Sequence, residues 1–388
     1  MKKPVVVASP PPAPSGPAGP SEAEGGGILS IDLGAIADNW RTLGRFATPA
    51  ECAAVVKADA YGCGIEQVVP ALVRAGCKTF FVAHLSEARR VRAVAPEAVI
   101  YVLNGIPSGM AAAFAESYLR PVIGSLVELA EWDAFVSTNN WHGGAALHVD
   151  TGMNRLGMNP DEAAALAPRL ASEQHGITLL MSHFVASEVP NHPMNDKQIR
   201  LFREIRVLFR GLPASLSNSS GIFLGPSAHC DLVRPGAALY GVNPRPGEAN
   251  PVKPVIGLQG RIAQVRSIAR GDSVGYGGTW TARRPSRIAI IGIGYADGFM
   301  RASSASDGNP GGEAIVAGKR CPFSGRVSMD LLAIDVTDLP EADARRGDLV
   351  TLIGIDIGVD EVAERAGTIG YEVLTSLGHR YARIYRGG

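Results

Sequence analysis

Short apolar, β-branched runs alternate with helically spaced segments from Ile28 to about Tyr240. The first run, ILSIDL (28–33), leads into a stretch with Leu33, Ile36, Trp40, Leu43 and Phe46 at intervals of three or four, the stripe of an amphipathic helix. CAAVVK (52–57), TFFVAH (79–84), AVIYVLN (98–104), PVIG (121–124), AALHVD (145–150), ITLLMSH (177–183), ASLSNS (214–219) and AALYG (237–241) follow as strand candidates. Helical patterns lie between most of them, for example Ile65, Val68, Val69, Leu72 and Val73, ended by Gly76. Eight strand runs with helical connections, after an initial ninth, predict a TIM-like (β/α)8 barrel with a parallel sheet. A doubly wound sheet ranks second, since it needs fewer strands and a chain reversal.

Beyond about Pro254 the texture changes. GRIAQVRSI, RIAIIGIGYADG, GEAIVAG, LLAIDVTD and GDLVTLIG are short strand candidates punctuated by glycine, and only VDEVAERAG and YEVLTSLGH look helical. The pattern therefore predicts a barrel over residues 28–254 and a mainly β domain over 255–388, with the 28–33 run joining the second domain. Ahead of both, seven prolines fall between Pro4 and Pro20 and are followed by Gly25-Gly26-Gly27. Residues 1–27 are expected to form a disordered tail.

Composition narrows the function. With 46% hydrophobic and 19% charged residues in 388, the chain has ample material for a core. Its 37 basic residues balance 37 acidic ones, which argues against nucleic acid or an anionic membrane as the main partner. No uninterrupted apolar stretch approaches the ~18 residues of a membrane span. The five cysteines form no C-x-x-C pair, so neither a disulfide framework nor a zinc knuckle is suggested and a reducing compartment fits best. After Met1-Lys2-Lys3 the apolar run Val5–Ala8 is too short for an export signal, and a cytoplasmic location is expected. The histidines show no HExxH spacing, so no metal site is implied. Gly292-Ile293-Gly294 does not open a helix in a βαβ unit, and the serines at 217–220 lack a G-x-S-x-G elbow.

In a barrel of this kind the reacting groups sit where strands end. Those ends supply Lys57, His84, Asn104, Asp150, His183 and Ser219. Of only seven lysines, Lys57 alone follows a buried-looking strand. Desolvating an ammonium there lowers its pKa and makes the neutral amine a nucleophile. By position alone, a lysine that snorkels to solvent is the commoner case.

The segment VVKADAYG around Lys57 resembles the pyridoxal-phosphate lysine motif of alanine racemases. LHVDTGMNRLG (147–157), MSHF (181–184), SNSSG (217–221), LVRPGAALYG (232–241), VGYGGTW (274–280), IGYADG (293–298), GRVSMD (325–330) and GYEVLTSLGHRYARIY (370–385) follow in that family's order. The resemblance implies a pyridoxal-phosphate barrel followed by a β domain, working as a homodimer on alanine as its small-molecule substrate. Lys57 would hold pyridoxal 5'-phosphate as a Schiff base and act as one of two catalytic bases. Tyr276, reaching into the partner's barrel mouth, would be the other, because racemisation needs proton removal on one face and delivery on the opposite one. A tyrosine with an ordinary pKa of about 10 needs help to ionise, and His183 is the implied hydrogen-bond partner.

Arg234 would face the pyridine nitrogen and keep it unprotonated, which weakens the electron sink and disfavours decarboxylation and transamination. Arg155 would contact the cofactor's phenolic oxygen and the substrate carboxylate. Tyr61, Ser219, the N–H groups of Gly236 and Ala237, and Tyr371 would hold the phosphate. Tyr295 and Met329 would close the substrate end, with His148, Asp150 and Asp330 in support. Four positions depart from the family pattern. His148 stands where a lysine, often carbamylated, fixes the arginine at the site of Arg155, so direct contact or an anion beside His148 must position that arginine. Gly275 stands for serine, Ser328 for cysteine and Cys63 for histidine. The alternatives of the same or another class are a broad-specificity amino-acid racemase and a non-catalytic pyridoxal-phosphate carrier barrel, which would lack the Tyr276 block.

Overall fold

The computed structural model describes residues 19–172 and 176–388. Strands Ala54–Val55, Thr79–Val82, Val99–Val102, Arg120–Ile123, Ala145–His148, Ile177–Met181 and Ala214–Ser215 pair in parallel in that order. The circle closes through residues 231–235. On one side the N–H groups of Ala53 and Val55 donate to Val233 O (3.0 Å) and Pro235 O (2.9 Å), and on the other Arg234 N–H donates to Ser217 O (2.9 Å). The chain thus forms a TIM-like (β/α)8 barrel. Its strands are short and buried on both faces, Thr79–Val82 along its whole length, because helices cover the outside and side chains fill the inside.

The helices follow the sequence periodicity. Leu33–Ala47 starts where the Asp32 side chain accepts Ala35 N–H (2.8 Å), and buries Leu33, Ile36 and Leu43 while Phe46 stays outside. Ile65–Ala75 ends at Gly76, whose φ of 111° closes the helix in the left-handed region.

One strand expectation is corrected. AALYG is not a strand: Ala237–Tyr240 is a 3₁₀ turn, and Leu232–Val233 is the eighth barrel strand. All four residues of the turn are buried, and a short apolar run carries no period that separates a buried strand from a buried turn. Pro235 and Gly236 punctuate the two.

The C-terminal domain is built on an eight-stranded sheet around the long strand Ile256–Ile268, which pairs antiparallel with Gly27–Asp32, Leu349–Ile353 and Ser286–Ile291. Ala382–Arg386 runs parallel to Gly27–Asp32, so the two ends of the fold share one sheet. Helices Val359–Arg365 and Gly370–Ser376 pack against each other, and the second also against residues 57–61 of the barrel.

The expected tail also needs correction at its end. Residues 1–18 lie outside the described residues, but residues 19–26 turn against the β domain, with Gly26 O accepting Arg261 N–H at 3.0 Å. A Cβ on Gly26 would overlap the backbone of Gly292, and one on Gly27 would press on Ile293. The glycine run here permits close backbone approach rather than freedom.

Candidate active site

The C-terminal ends of the barrel strands and the helix Gly370–Ser376 enclose a cavity of about 820 Å³. Lys57, Tyr61, His148, Arg155, His183, Ser219, Arg234, Gly236, Ala237 and Tyr371 all line it. Residues scattered over more than 300 positions meet there because every barrel strand points its end to the same face.

Lys57 leads directly into an unusual turn. Ala58, Asp59 and Ala60 have φ/ψ near 54°/49°, and Tyr61 has φ 54°, one turn of left-handed helix built from L residues. At roughly 1–2 kcal/mol per residue the turn costs about 4–8 kcal/mol before its own hydrogen bonds are counted. Gly62 N–H donates to Ala58 O (2.8 Å) and Ala60 N–H to Val56 O (3.0 Å), which recover part of that. Strain of this kind persists where surrounding structure over-determines it. Burial, with the nearby charge of Arg155, holds the Lys57 ammonium below its ordinary pKa, while the Glu87 carboxylate acts in the opposite direction.

Arg234 is only 3% exposed, and its contacts are uncharged. It donates to Ser182 O at 2.6 Å, to Ser215 Oγ, and to His183 Nδ1 at 3.3 Å. Its guanidinium lies 5.8 Å from the centre of the Phe81 ring. No carboxylate neutralises it among the described residues, and burial lowers its pKa to about 10. A guanidinium has no acceptor, so His183 Nδ1 must accept and the ring proton sits on Nε2. Burial first, then Arg234, keeps His183 neutral, well below the usual histidine range. His148 is lowered to about 4 by burial, with Arg234 adding to the effect and Asp150 opposing it.

Ser219 and the turn after Arg234 form a separate corner. Ser219 Oγ accepts the N–H groups of Gly236 (2.9 Å) and Ala238 (3.3 Å). Ala237 N–H has no protein acceptor among the described residues. Tyr61 stacks on Tyr240 with ring centres 4.7 Å apart, and its hydroxyl occupies the space a Cβ on Gly236 would need. Tyr371 stands 6.3 Å from Tyr61 across the corner.

Arg155 is carried by a loop that Asp150 shapes. The Asp150 carboxylate accepts the N–H groups of Gly152, Met153 and Asn154, each at 2.8 Å. Arg155 itself is exposed, makes no hydrogen bond among the described residues, and shares the cavity with His148, whose pKa its charge helps to lower.

Tyr276, Tyr295 and Met329 are elsewhere. They are 73%, 41% and 54% exposed, and none lines the Lys57 cavity. Tyr276 shares a shallow groove with Ser328 and Leu331, and Tyr295 N–H donates to Ser328 O (3.0 Å). Asp330 pairs with Arg380 at 2.9 Å, outside the cavity. Of the strand-end candidates, Asn104 lines the cavity, whereas His84 is exposed at the start of helix Leu85–Val94. Thr368, Glu372 and Thr375 also line the cavity, and no sequence signal marks them, because nothing distinguishes this loop and helix face from other exposed surface. Glu87 was missed too. Its one signal is its place three residues after a strand-end residue, where a helix-capping acid belongs.

Residues 31–244 match the family model described as "Alanine racemase, N-terminal domain", and residues 255–385 match "Alanine racemase, C-terminal domain". The alanine racemase of Methylobacterium sp. (strain 4-46) is 55% identical over 360 residues, covering 93% of this chain and 98% of that protein. The catabolic alanine racemase of Mesorhizobium japonicum is 48% identical over 370 residues, 95% of each chain. The crystal structure of alanine racemase from Bartonella henselae with covalently bound pyridoxal phosphate matches with a TM-score of 0.88 at 40% identity, over 92% of this chain and 99% of that one. Both halves of the fold, their order and nearly the whole described length agree, and the chain belongs to the alanine racemase family.

Proposed function

We propose that this protein interconverts L- and D-alanine with pyridoxal 5'-phosphate bound through Lys57, as a homodimer whose partner lends Tyr276. The observation that carries the reading is the meeting of Lys57, Arg234, Arg155 and the Ser219–Ala237 corner in one cavity. The residues fit the cofactor. Ser219 accepts two N–H groups and so has its hydroxyl proton to give, and Ala237 N–H lacks an acceptor, which together suit a phosphate. A buried arginine without a carboxylate suits a pyridine nitrogen that stays unprotonated.

When bound, the cofactor supplies the electron sink that lets an α-proton leave. Lys57 Nζ, its pKa lowered by burial, takes or returns that proton on one face. His183 Nε2–H is the donor that favours an ionised phenol on the other face. Arg234 cannot release a proton, which restrains charge delocalisation and guards against side reactions. Arg155 is free to meet the substrate carboxylate, with Asp150 holding its loop. Tyr276 supports a two-chain site because it is largely exposed and lies outside its own chain's cavity. Tyr295 and Met329 belong to the same contribution, narrowing the pocket toward alanine. D-Alanine made here would feed peptidoglycan precursors in the cytoplasm. Among the described residues no helix is long and apolar enough to cross a membrane.

The test is an absorbance spectrum and chiral assay of purified protein with added cofactor, offering serine, lysine and arginine beside alanine. Borohydride reduction followed by peptide mapping should mark Lys57. A label on another lysine, or no racemisation of alanine, overturns the proposal.

A further inference from the structure

Helix Leu85–Val94 turns two charged side chains, three residues apart, onto the left-handed turn that follows Lys57. Glu87 Oε1 accepts Ala58 N–H at 2.6 Å, while Oε2 accepts the N–H groups of Ala83 (2.9 Å) and His84 (3.1 Å). Helix capping accounts for the second oxygen alone. The first reaches 29 residues back in sequence to the residue where the chain turns left-handed. Arg90 takes the next residue. Its Nη2 pairs with Asp59 Oδ1 at 2.6 Å, and its Nε and Nη2 hold both oxygens of Glu66 at 2.7 and 2.6 Å. Asp59 Oδ1 also accepts Ile65 N–H at 3.1 Å, tying the turn to the helix after it.

We propose that Glu87 and Arg90 are positioning residues that clamp the left-handed turn and thereby fix the direction in which Lys57 projects Nζ into the cavity. Lys57 immediately precedes Ala58, so the orientation of the 57–58 peptide sets where the lysine side chain starts. Without an acceptor for Ala58 N–H, L residues relax toward right-handed or extended backbone and that peptide rotates. The ion pairs are partly solvent-exposed, with Arg90 36% and Asp59 26% accessible, so as stabilising contacts they are worth little. Their geometry is what matters: a guanidinium fork holding carboxylates from the turn and from the following helix admits few alternatives. Glu87 also places a negative charge beside the lysine, opposing the desolvation that lowers its pKa.

The inference rests on Lys57 being the lysine that carries the cofactor, and its test separates the two claims. Amide hydrogen exchange at Ala58 is measured in the apoprotein of the natural chain and of Glu87→Ala, Glu87→Gln, Arg90→Ala and Arg90→Lys. Pyridoxal phosphate binding is then titrated by absorbance, with borohydride trapping to locate the bond. Glu87→Ala should speed exchange at Ala58 and weaken cofactor binding by roughly tenfold or more each. Glu87→Gln, which keeps one oxygen acceptor, should fall between and carries the test if the alanine variant does not fold. Arg90→Ala should weaken binding a few-fold, and Arg90→Lys should restore part of it. Strand Ala145–His148 should keep its protection throughout. Unchanged exchange at Ala58 in both Glu87 variants overturns the clamp, as does a uniform loss of protection across the barrel. A borohydride label away from residue 57 would overturn the lysine assignment while leaving the exchange result readable.

Discussion

Two tyrosines, Tyr61 and Tyr276, mark the difference between the two halves of the molecule. Tyr61 is 6% exposed, stacked on Tyr240, and fitted against a glycine that has no room for a Cβ. Tyr276 is 73% exposed between two glycines, on a face that also displays Met329 and Leu331. The barrel mouth is assembled from one chain: Arg234 and the Ser219–Ala238 corner are already held by hydrogen bonds beside Lys57. On the proposed reading the β-domain face completes the site of a second copy, since Tyr276 lies outside its own chain's cavity. Large apolar side chains clustered at a surface mark a surface made to be covered. A site shared between copies makes association part of catalysis rather than an accessory to it.

The sharpest way to break that contrast is on the barrel side. Lys57→Ala should abolish cofactor attachment and its visible absorbance, and lower racemisation by at least about a thousandfold in a chiral assay. On the exposed side, Tyr276→Phe should leave the cofactor spectrum intact and slow proton removal from L-alanine by about a hundredfold or more. Equal slowing from both enantiomers would count against a division between two bases. Mixing the two inactive proteins sharpens the point. A heterodimer carries one site with both lesions and one with none, so exchange of subunits should restore about a quarter of the natural activity. No recovery would mean that both groups act within one chain.

A smaller effect is expected at the loop. Asp150→Ala strips the acceptor from three backbone N–H groups around residues 152–154, and on the proposal that Arg155 meets the substrate carboxylate KM for alanine should rise roughly tenfold with kcat changed less. The smallest is a matter of pH. His148 sits near 4 in the folded apoprotein against an ordinary 6.5, so the unfolded chain binds the extra proton between those values. Stability should therefore fall as pH drops through that window and level off below it, with His183 contributing in the same direction. Denaturant unfolding of apoprotein should show His148→Gln reducing the slope by up to about 1.4 kcal/mol per pH unit. An identical slope would mean that His148 is not buried neutral.

Much of the fold is legible in the sequence. Leu33, Ile36 and Leu43 announce a helix because burial on one side imposes a 3.6-residue period, and the structure buries all three. Lys57 stands out because ammonium groups rarely end buried strands. The buried 3₁₀ turn at Ala237–Tyr240 marks the limit, since a fully buried segment has no polar face to reveal its period. Glycines 25–27 show another: the same residue serves flexible tails and tight packing, and only the neighbour, here Gly292, distinguishes them.

Architecture and the candidate reactive groups are readable along the chain, because periodicity, punctuation and residue chemistry are local properties written in order. Tertiary structure alone decided the left-handed turn after Lys57, the tautomer of His183 and the separation of Tyr276 from the cavity. In KADAY no residue favours positive φ strongly enough to announce that turn; its acceptor, Glu87, arrives from 29 positions away. A side chain's proton, strain and exposure are set by whichever groups folding brings against it, and distance along the chain does not encode them.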